Sequence, residues 1–340
     1  MRIGIEDRTK DIEIILNFIT KNSGREIKIE EALLYFLKKN VKSSDLFFII
    51  LKELQEMNLV EGKRGKVKIK KIGERSVDKV KRKVIRRIEK INKLFVTPLE
   101  VAKFFQCPRR LWLEKIVLSK QFKEKKGKIW DGEVIHYAVK IFVSNFGKER
   151  SLKKLVEKSA RQAIQKYEDK ITIGKKEIKK FLESVFNFFV KEKFEFVIAE
   201  KNIESLQTGI NGSPDLIGIR ENGDVVAIDI KAGEIKKGRI RKEHILQNIG
   251  ESLLVEKFFR KKVSRCYLLY FKSNAAVRIN IDEKLKREFL RYRRVILKYF
   301  KSNKIPPKSK LPNYRERVCK GCHVKPACDN IEIFKRFEMY

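Results

Sequence analysis

The sequence has few of the residues on which many binding and catalytic sites depend. Its 340 residues include three histidines, three methionines, seven prolines and five cysteines. It has no run of about 18 apolar residues, which excludes a predicted membrane-spanning helix, and no recognisable signal peptide. So few cysteines in such a chain argue against a disulfide framework. We therefore expect a soluble cytoplasmic protein that has no membrane partner.

Acidic residues are also scarce relative to basic ones. Lys and Arg total 81 against 44 for Asp and Glu, which gives a formal net charge of +37. Such a field attracts polyanions, so nucleic acid is the expected partner and an anionic membrane surface is the rival. Hydrophobic residues make up 42% of the chain, enough for packed cores, and the length accommodates two domains.

Residues 1–72 predict a small helical domain that ends in a hairpin. Apolar residues at helical spacing indicate helices over 10–22 and 29–40, and Ser44 is a suitable N-cap for a third helix. Two short basic strands follow within 59–69. This order is typical of a winged helix, which either reads DNA through its third helix or only docks proteins, and the sequence leaves both open. A basic linker helix is predicted over 75–95, within a linker region 73–96.

Residues 97–340 predict an α/β (α+β) domain in which helices flank a central mixed sheet. Helical patterns cover 132–147, 151–169, 175–193, 240–259 and 283–302. Strand patterns cover 194–204, 206–211, 214–220, 224–231, 264–272 and 276–281. Cys266 lies inside one of these strands, and we interpret it as a small buried hydrophobic residue.

Two acids and a lysine stand out in the middle of this domain. Asp215 opens a strand, a turn at Gly223 follows, and the apolar strand Val225–Ile228 leads into Asp229 and Lys231. Strand periodicity places Asp229 and Lys231 on one face, and Asp215 on the partner strand converges on the same point. Carboxylate oxygens suit Mg²⁺ or Mn²⁺, and a nearby lysine offsets developing charge on a phosphate. A lone D-x-K is a weak signal, but a strand, turn and strand that carry these residues form a more specific one.

Three further polar residues suggest a functional site only when they are considered together with these acids and the lysine. His136 lies early on a predicted helix, where a histidine is more often structural than a ligand. Glu200 precedes the strand of Asp215 and would alone be a solvated charge. Gln247 lies on the helix after the strand of Asp229 and would alone be a surface residue. Together they suggest a site.

The remaining cysteines are divided between two distant places. Cys107 stands alone, while three others form Cys319-x2-Cys322-x5-Cys328. A zinc ribbon requires two close pairs, whereas an iron–sulfur cluster tolerates a distant fourth ligand. The spacing favours the iron–sulfur cluster and leaves zinc open. Either metal would join the start of the domain to its end.

The motifs in this order resemble the RecB-like nucleases of the PD-(D/E)xK superfamily, and within it the iron–sulfur exonucleases of CRISPR adaptation, which we call the Cas-four family. Cys107 with Pro108-Arg109-Arg110 resembles the opening cysteine motif, and His136 the motif-one histidine. Gly212–Asp215 and Asp229–Lys231 are similar to the G-x-x-D and (D/E)-x-K motifs. Gln247 is similar to the glutamine of Q-x-x-x-Y, and Cys319, Cys322 and Cys328 to the closing triplet. The resemblance covers about 97–335.

The resemblance implies a metal-dependent exonuclease that acts on single-stranded DNA or DNA ends, in CRISPR adaptation or DNA repair. Its partners would be CRISPR adaptation proteins or a repair helicase. The four cysteines would bind a 4Fe–4S cluster. The catalytic Mg²⁺ or Mn²⁺ would be held by His136, Asp215, Asp229 and the backbone carbonyl of Ile230, with Lys231 assisting the nucleophile and Glu200 as an auxiliary. One position departs from the family, because Glu251 stands where Q-x-x-x-Y has its tyrosine.

Two other functions compete with this interpretation. The first is a DNA-binding winged-helix regulator that carries an inactive nuclease remnant. Its weakness is that a remnant usually loses an acid or the lysine, whereas this chain keeps both. The second is a basic protein that binds membrane surfaces or RNA, which leaves the cysteines and the acidic site unexplained.

Overall fold

The computed structural model describes residues 5–63, 65–89, 94–116, 128–149, 151–235, 238–302, 304–310 and 319–331. In the N-terminal part the element order is α1 (Ile5–Lys21), β1 (Glu26–Lys28), α2 (Ile29–Lys38), α3 (Ser44–Glu56), β2 (Val60–Lys63), β3 (Lys66–Ile69) and α4 (Glu74–Glu89). The strands form an antiparallel sheet in the order β1-β3-β2. The three predicted helices and the hairpin are confirmed. The three-residue strand β1 was not predicted, because it is too short to show an alternating pattern.

Helix α3, the third helix predicted in this part, is largely buried. Its apolar residues pack into the N-terminal core, where the rings of Phe36 and Phe47 lie 5.0 Å apart. Its opposite side contacts the second part of the chain, since Asp45 Oδ1 accepts a hydrogen bond from Arg260 at 2.6 Å and Asp45 Oδ2 accepts one from the Leu206 amide at 2.8 Å. The helix therefore joins the two parts and presents little surface to solvent.

The second part of the chain begins with helices. A capping box at Thr97 and Glu100, with Pro98 in the first turn, starts α5 (Pro98–Gln106). Helices α6 (Pro108–Ile116), α7 (Lys128–Asn145), α8 (Leu152–Tyr167) and α9 (Lys175–Lys191) follow, with a short 3₁₀ turn at Glu168–Lys170. Helices α7, α8 and α9 share an apolar core with one face of the central sheet.

The remaining elements build that sheet and cover its other face. They are β4 (Phe194–Ala199), β5 (Ile203–Ser205), β6 (Ile210–Gly212), β7 (Leu216–Arg220), β8 (Val225–Lys231), α10 (Lys242–Phe259), β9 (Arg265–Tyr270), β10 (Ala275–Asn280), α11 (Glu283–Ser302) and α12 (Lys325–Asp329). The five-stranded sheet has the order β10-β9-β8-β7-β4, with β8 and β9 parallel and the other pairs antiparallel. The prediction of a mixed sheet flanked by helices is confirmed.

Two predicted strands differ in extent from the observed ones. The strand expected over 194–204 is divided into β4 and β5 at Glu200, whose φ of 47° lies in the left-handed region. The strand expected over 206–211 is reduced to β6 by a turn at Gly209, where φ is 63°. These backbone angles interrupt an extended chain. The buried strand residue Cys266 is confirmed as fully buried.

No helix in the described ranges is long and apolar enough to cross a membrane.

Candidate active site

Strand register brings the two acids together at one edge of the sheet. Leu216 of β7 pairs with Ile228 of β8 in antiparallel register, so Asp215 and Asp229, one residue beyond that pair, are neighbours. Asp215 Oδ2 accepts a hydrogen bond from the backbone amide of Ile230 at 2.7 Å. The peptide group between Asp229 and Ile230 is therefore hydrogen-bonded to Asp215.

Lys231 points to the same place as Asp229, as strand periodicity predicts. Its Nζ lies 2.6 Å from Asp229 Oδ2 and donates to Gln247 Oε1 at 2.9 Å. The amide nitrogen of Gln247 donates to Asp229 Oδ1 at 3.3 Å and to Glu251 Oε1 at 3.0 Å. Lys231, Asp229 and Gln247 thus form a closed ring, to which Glu251 is attached through Gln247.

Helix α10 brings Gln247 and Glu251 to this ring because they are one turn apart on the same helix face. The helix packs across β8 and β9 and is fixed there by Asn248, whose side-chain amide donates to the Tyr267 carbonyl at 2.7 Å. Most of its residues from Leu246 to Phe259 are buried. Gln247 is accordingly half-buried in the site and not a surface residue.

His136 and Glu200 approach the group from the other side. His136, on α7, has its Nδ1 3.2 Å from Asp215 Oδ1. The backbone amide of Glu200 donates to the Asp215 carbonyl at 2.9 Å, while the Glu200 carboxylate forms an ion pair with Lys140. The structure thus brings together five of the six side chains of the candidate site, and Glu200 is linked to Asp215 only through its backbone.

Burial and mutual charge set the protonation of these groups. Burial, aided by Asp215, raises the pKa of Asp229 to about 7 despite the opposing effect of Lys231. Burial would also raise the pKa of Asp215, but His136 and Lys231 outweigh it and lower the value. Burial would lower the pKa of Lys231, yet Asp229 and Glu251 raise it above 10.5. Opposite shifts on two adjacent acids, with a protonated lysine beside them, are typical of functional sites.

The donor atoms suit a hard divalent cation. Asp215 and Asp229 offer carboxylate oxygens and Ile230 a carbonyl oxygen, which are the ligands that Mg²⁺ and Mn²⁺ prefer, and His136 adds an imidazole nitrogen, a ligand more usual for other transition metals. Within the described residues, however, no three His, Cys, Asp or Glu side chains form a preassembled metal group. In this structure His136 pairs with Asp215, and Lys231 pairs with Asp229.

The four candidate cluster cysteines line one cavity. Cys107 caps α5 and is buried, and Cys319, Cys322 and Cys328 approach it from around α12. The basic side chains of Arg110, Lys308 and Lys325 line the same cavity. Trp112, Leu113 and Val324 form an apolar cluster beneath it. The structure therefore places cysteines more than two hundred positions apart on one cavity, although no three of them form a preassembled metal group among the described residues.

Sequence reasoning missed one member of the site and several of its neighbours. Glu251 was noted only as a departure from a motif, yet it is 4% exposed, and burial together with Asp229 and Asp215 raises its pKa well above 4.5. His244 was not noticed either. Its Nδ1 lies 2.9 Å from the Tyr270 hydroxyl, and burial with the nearby Lys231 and Arg241 lowers its pKa to about 4. The only available signal was the position of both residues on the helix of Gln247.

Comparison with known proteins identifies the second part of the chain. The family model described as the PD-(D/E)XK nuclease superfamily matches residues 96–329. The comparison with curated proteins gave no match. Among solved structures, the crystal structure of SSO0001 is similar at 14% sequence identity, covering 83% of this chain and 94% of its own, with a TM-score of 0.33.

Proposed function

The chain belongs to the PD-(D/E)XK nuclease superfamily, and we propose that it is a metal-dependent DNA exonuclease that acts on single-stranded DNA or DNA ends. Membership of this superfamily suggests nuclease activity, a divalent metal and DNA as the substrate. The observation that supports the proposal most strongly is the ring of Asp229, Lys231 and Gln247 beside Asp215. Its residues are those that resemble the (D/E)-x-K and Q-x-x-x-Y motifs.

The residues proposed to hold Mg²⁺ or Mn²⁺ are His136, Asp215, Asp229 and the carbonyl of Ile230. When bound, such a cation polarises the scissile phosphate and lowers the pKa of a bound water. Lys231 has a different role in this proposal. Because Asp229 and Glu251 raise its pKa, Lys231 stays protonated at neutral pH and donates a hydrogen bond instead of removing a proton. Gln247 fixes the direction of that ammonium group.

The central experiment compares Asp229→Ala and Lys231→Ala with Asp224→Ala on end-labelled single-stranded DNA with Mn²⁺. Asp224 is a matched control because it lies in the same β7–β8 hairpin but is exposed and pairs with Arg265. Loss of one charge-stabilising group costs about 10²–10³-fold in rate, so both site variants should lose cleavage and retain DNA binding. Full activity in either one would refute the site. Circular single-stranded DNA in the same assay separates exonuclease from endonuclease action.

We also propose that Cys107, Cys319, Cys322 and Cys328 bind a 4Fe–4S cluster that closes the domain. The support is their common cavity, where burial raises the pKa of the Cys322 thiol and Arg110 opposes that shift. The carboxylate of Asp329 also lines this cavity, so its lining does not by itself separate iron from zinc. Iron and zinc analysis of anaerobically purified protein distinguishes this cluster from structural zinc.

The N-terminal part is proposed to be a winged-helix-like unit with a docking function. Its three helices and antiparallel sheet support the assignment. The burial of α3 against the nuclease domain disfavours the competing function of a winged-helix regulator, since that helix could not enter a major groove as it lies here. We propose a role in CRISPR adaptation or DNA repair, with an adaptation protein or a repair helicase as partner, on the motif resemblance alone.

A further inference from the structure

An open cleft of about 540 Å³ lies beside the candidate active site. Its floor includes His136, and its walls come from α7, α8 and the turn at Glu200. Tyr137 follows His136 directly on α7, and Lys140 lies one turn further along. A ligand in this cleft would therefore be next to the phosphate that the acids are proposed to cut. The lining residues are Gly132, Glu133, His136, Tyr137, Lys140, Lys166, Tyr167 and Glu200.

The cleft is bordered by a cluster of aromatic rings. The ring centroids of Tyr137 and Tyr167 are 6.0 Å apart at an angle of 76°, and the Trp130 ring lies 5.8 Å from Tyr167. All three side chains are partly exposed. The core between α7 and α8 is already filled by buried aliphatic residues and Phe142. Tyr137 and Tyr167 pack against this core, and each remains partly exposed where it lines the cleft.

Cations accompany these rings. Lys166 Nζ lies 3.8 Å from the Tyr137 ring centroid, and Lys170 Nζ lies 4.8 Å from that of Trp130. Both lysines are exposed, so they can turn from a ring face towards a phosphate. Aromatic faces interleaved with lysines are the usual means by which proteins bind single-stranded nucleic acid, with bases on the rings and phosphates on the cations.

We propose that this cleft is a nucleotide subsite in which an unpaired base next to the cleaved phosphate stacks on the Tyr167 ring and lies beside Tyr137, whose ring is nearly perpendicular to that of Tyr167. Its adjoining phosphate contacts Lys166. A base within a duplex is stacked and paired and cannot reach the rings, so the subsite selects single strands or frayed ends. This inference deepens the proposed nuclease function and rests on it for the position of the scissile phosphate.

The test measures binding in EDTA, where no cleavage occurs, at one fixed salt concentration because phosphate contacts are salt-dependent. Two probes of equal length are used: a fluorescein-labelled single-stranded DNA of mixed sequence, and the same backbone with every residue abasic. Stacking of one base contributes about 5- to 150-fold in affinity. Tyr167→Leu should bind the base-bearing strand more weakly by that factor and should bind the abasic strand with the affinity of the unchanged protein. Tyr167→Phe, which keeps the ring, should bind both as the unchanged protein does.

A matched control is Tyr35→Leu, because Tyr35 also packs against aromatic rings and has Lys39 5.9 Å from its centroid, but in the N-terminal part. It should leave the ratio of the two affinities unchanged. Equal losses for both probes in Tyr167→Leu, or a loss for neither, would overturn the subsite. If the variant does not fold, equal affinities of the unchanged protein for the two probes would overturn it as well. Cleavage with Mn²⁺ is scored separately, so the subsite and the nuclease function can fail independently.

Discussion

Replacement of Glu204 by glutamine should remove a pH dependence of stability that originates between the two parts of the chain. Glu204 lies on β5 and is 4% exposed. Arg8 Nε of α1 is 3.5 Å from its Oε1, yet neither carboxylate oxygen has a hydrogen-bond partner within the described residues. Burial exceeds the effect of Arg8 and raises the pKa of Glu204 to about 7. The folded state therefore retains a proton that the unfolded chain has released.

The sign and size follow from this difference in pKa. Between the ordinary value of 4.5 and about 7 the folded state binds more protons than the unfolded state, so stability falls as pH rises. At 1.36 kcal/mol per pKa unit the full effect of Glu204 is about 3 kcal/mol. About 2.5 kcal/mol of it develops between pH 5 and pH 8. Glutamine does not ionise, so Glu204→Gln should become more stable relative to the unchanged protein by that amount over this range.

The assay is urea unfolding of both proteins at several pH values from 5 to 8. The change in the difference between their unfolding free energies across pH is the quantity of interest, because it cancels every other titrating group. Glu157→Gln is the control: Lys175 and Lys179 lower the pKa of Glu157 to about 2, so its contribution is complete above pH 5. A constant difference between Glu204→Gln and the unchanged protein over the whole range would refute the reasoning.

Two further predictions concern the cysteines and the active-site ring. Cys322→Ser should lose iron and have a lower melting temperature. The control is Cys266→Ala, which should keep its iron because Cys266 lies in a strand, where burial raises the pKa of its thiol to about 12. Unchanged metal content and an unchanged melting temperature in Cys322→Ser would reject the cluster. Glu251→Ala should slow cleavage about tenfold, the value of one hydrogen bond, because Gln247 loses the nearer of its two acceptors. Glu251→Gln should restore the rate, since its carbonyl still accepts, and equal rates in both variants would contradict this positioning role.

Much of the active site was predictable because strands have a short, strict period. Asp229 and Lys231 are two residues apart on β8, so any strand there places them on one face. Asp215 follows from the hairpin, because the turn at Gly223 fixes the register of β7 on β8. The proximity of the two acids could thus be predicted from the sequence without knowledge of the remaining fold.

The helical contributions were harder to predict. Helix α10 is buried on nearly every side, so polar and apolar residues on it do not separate into faces that reveal which ones point to the sheet. Gln247 was identified by its motif and not by periodicity, and Glu251 was missed as a member of the site. Tyr137 and Tyr167 are thirty positions apart on α7 and α8, and only the packing of these helices brings them into contact. Long-range contacts of this kind leave no local pattern.

The burial of α3 changes the role that the N-terminal part can have. Asp45 binds Arg260, and its other oxygen accepts a hydrogen bond from the amide of Leu206, so exposing α3 to DNA would break both contacts. The basic hairpin presents less positive charge to DNA than its sequence suggests, because Lys66 and Lys70 pair with Glu26 and Glu61. In this arrangement the N-terminal part thus offers DNA neither an exposed α3 nor an unpaired Lys66 or Lys70.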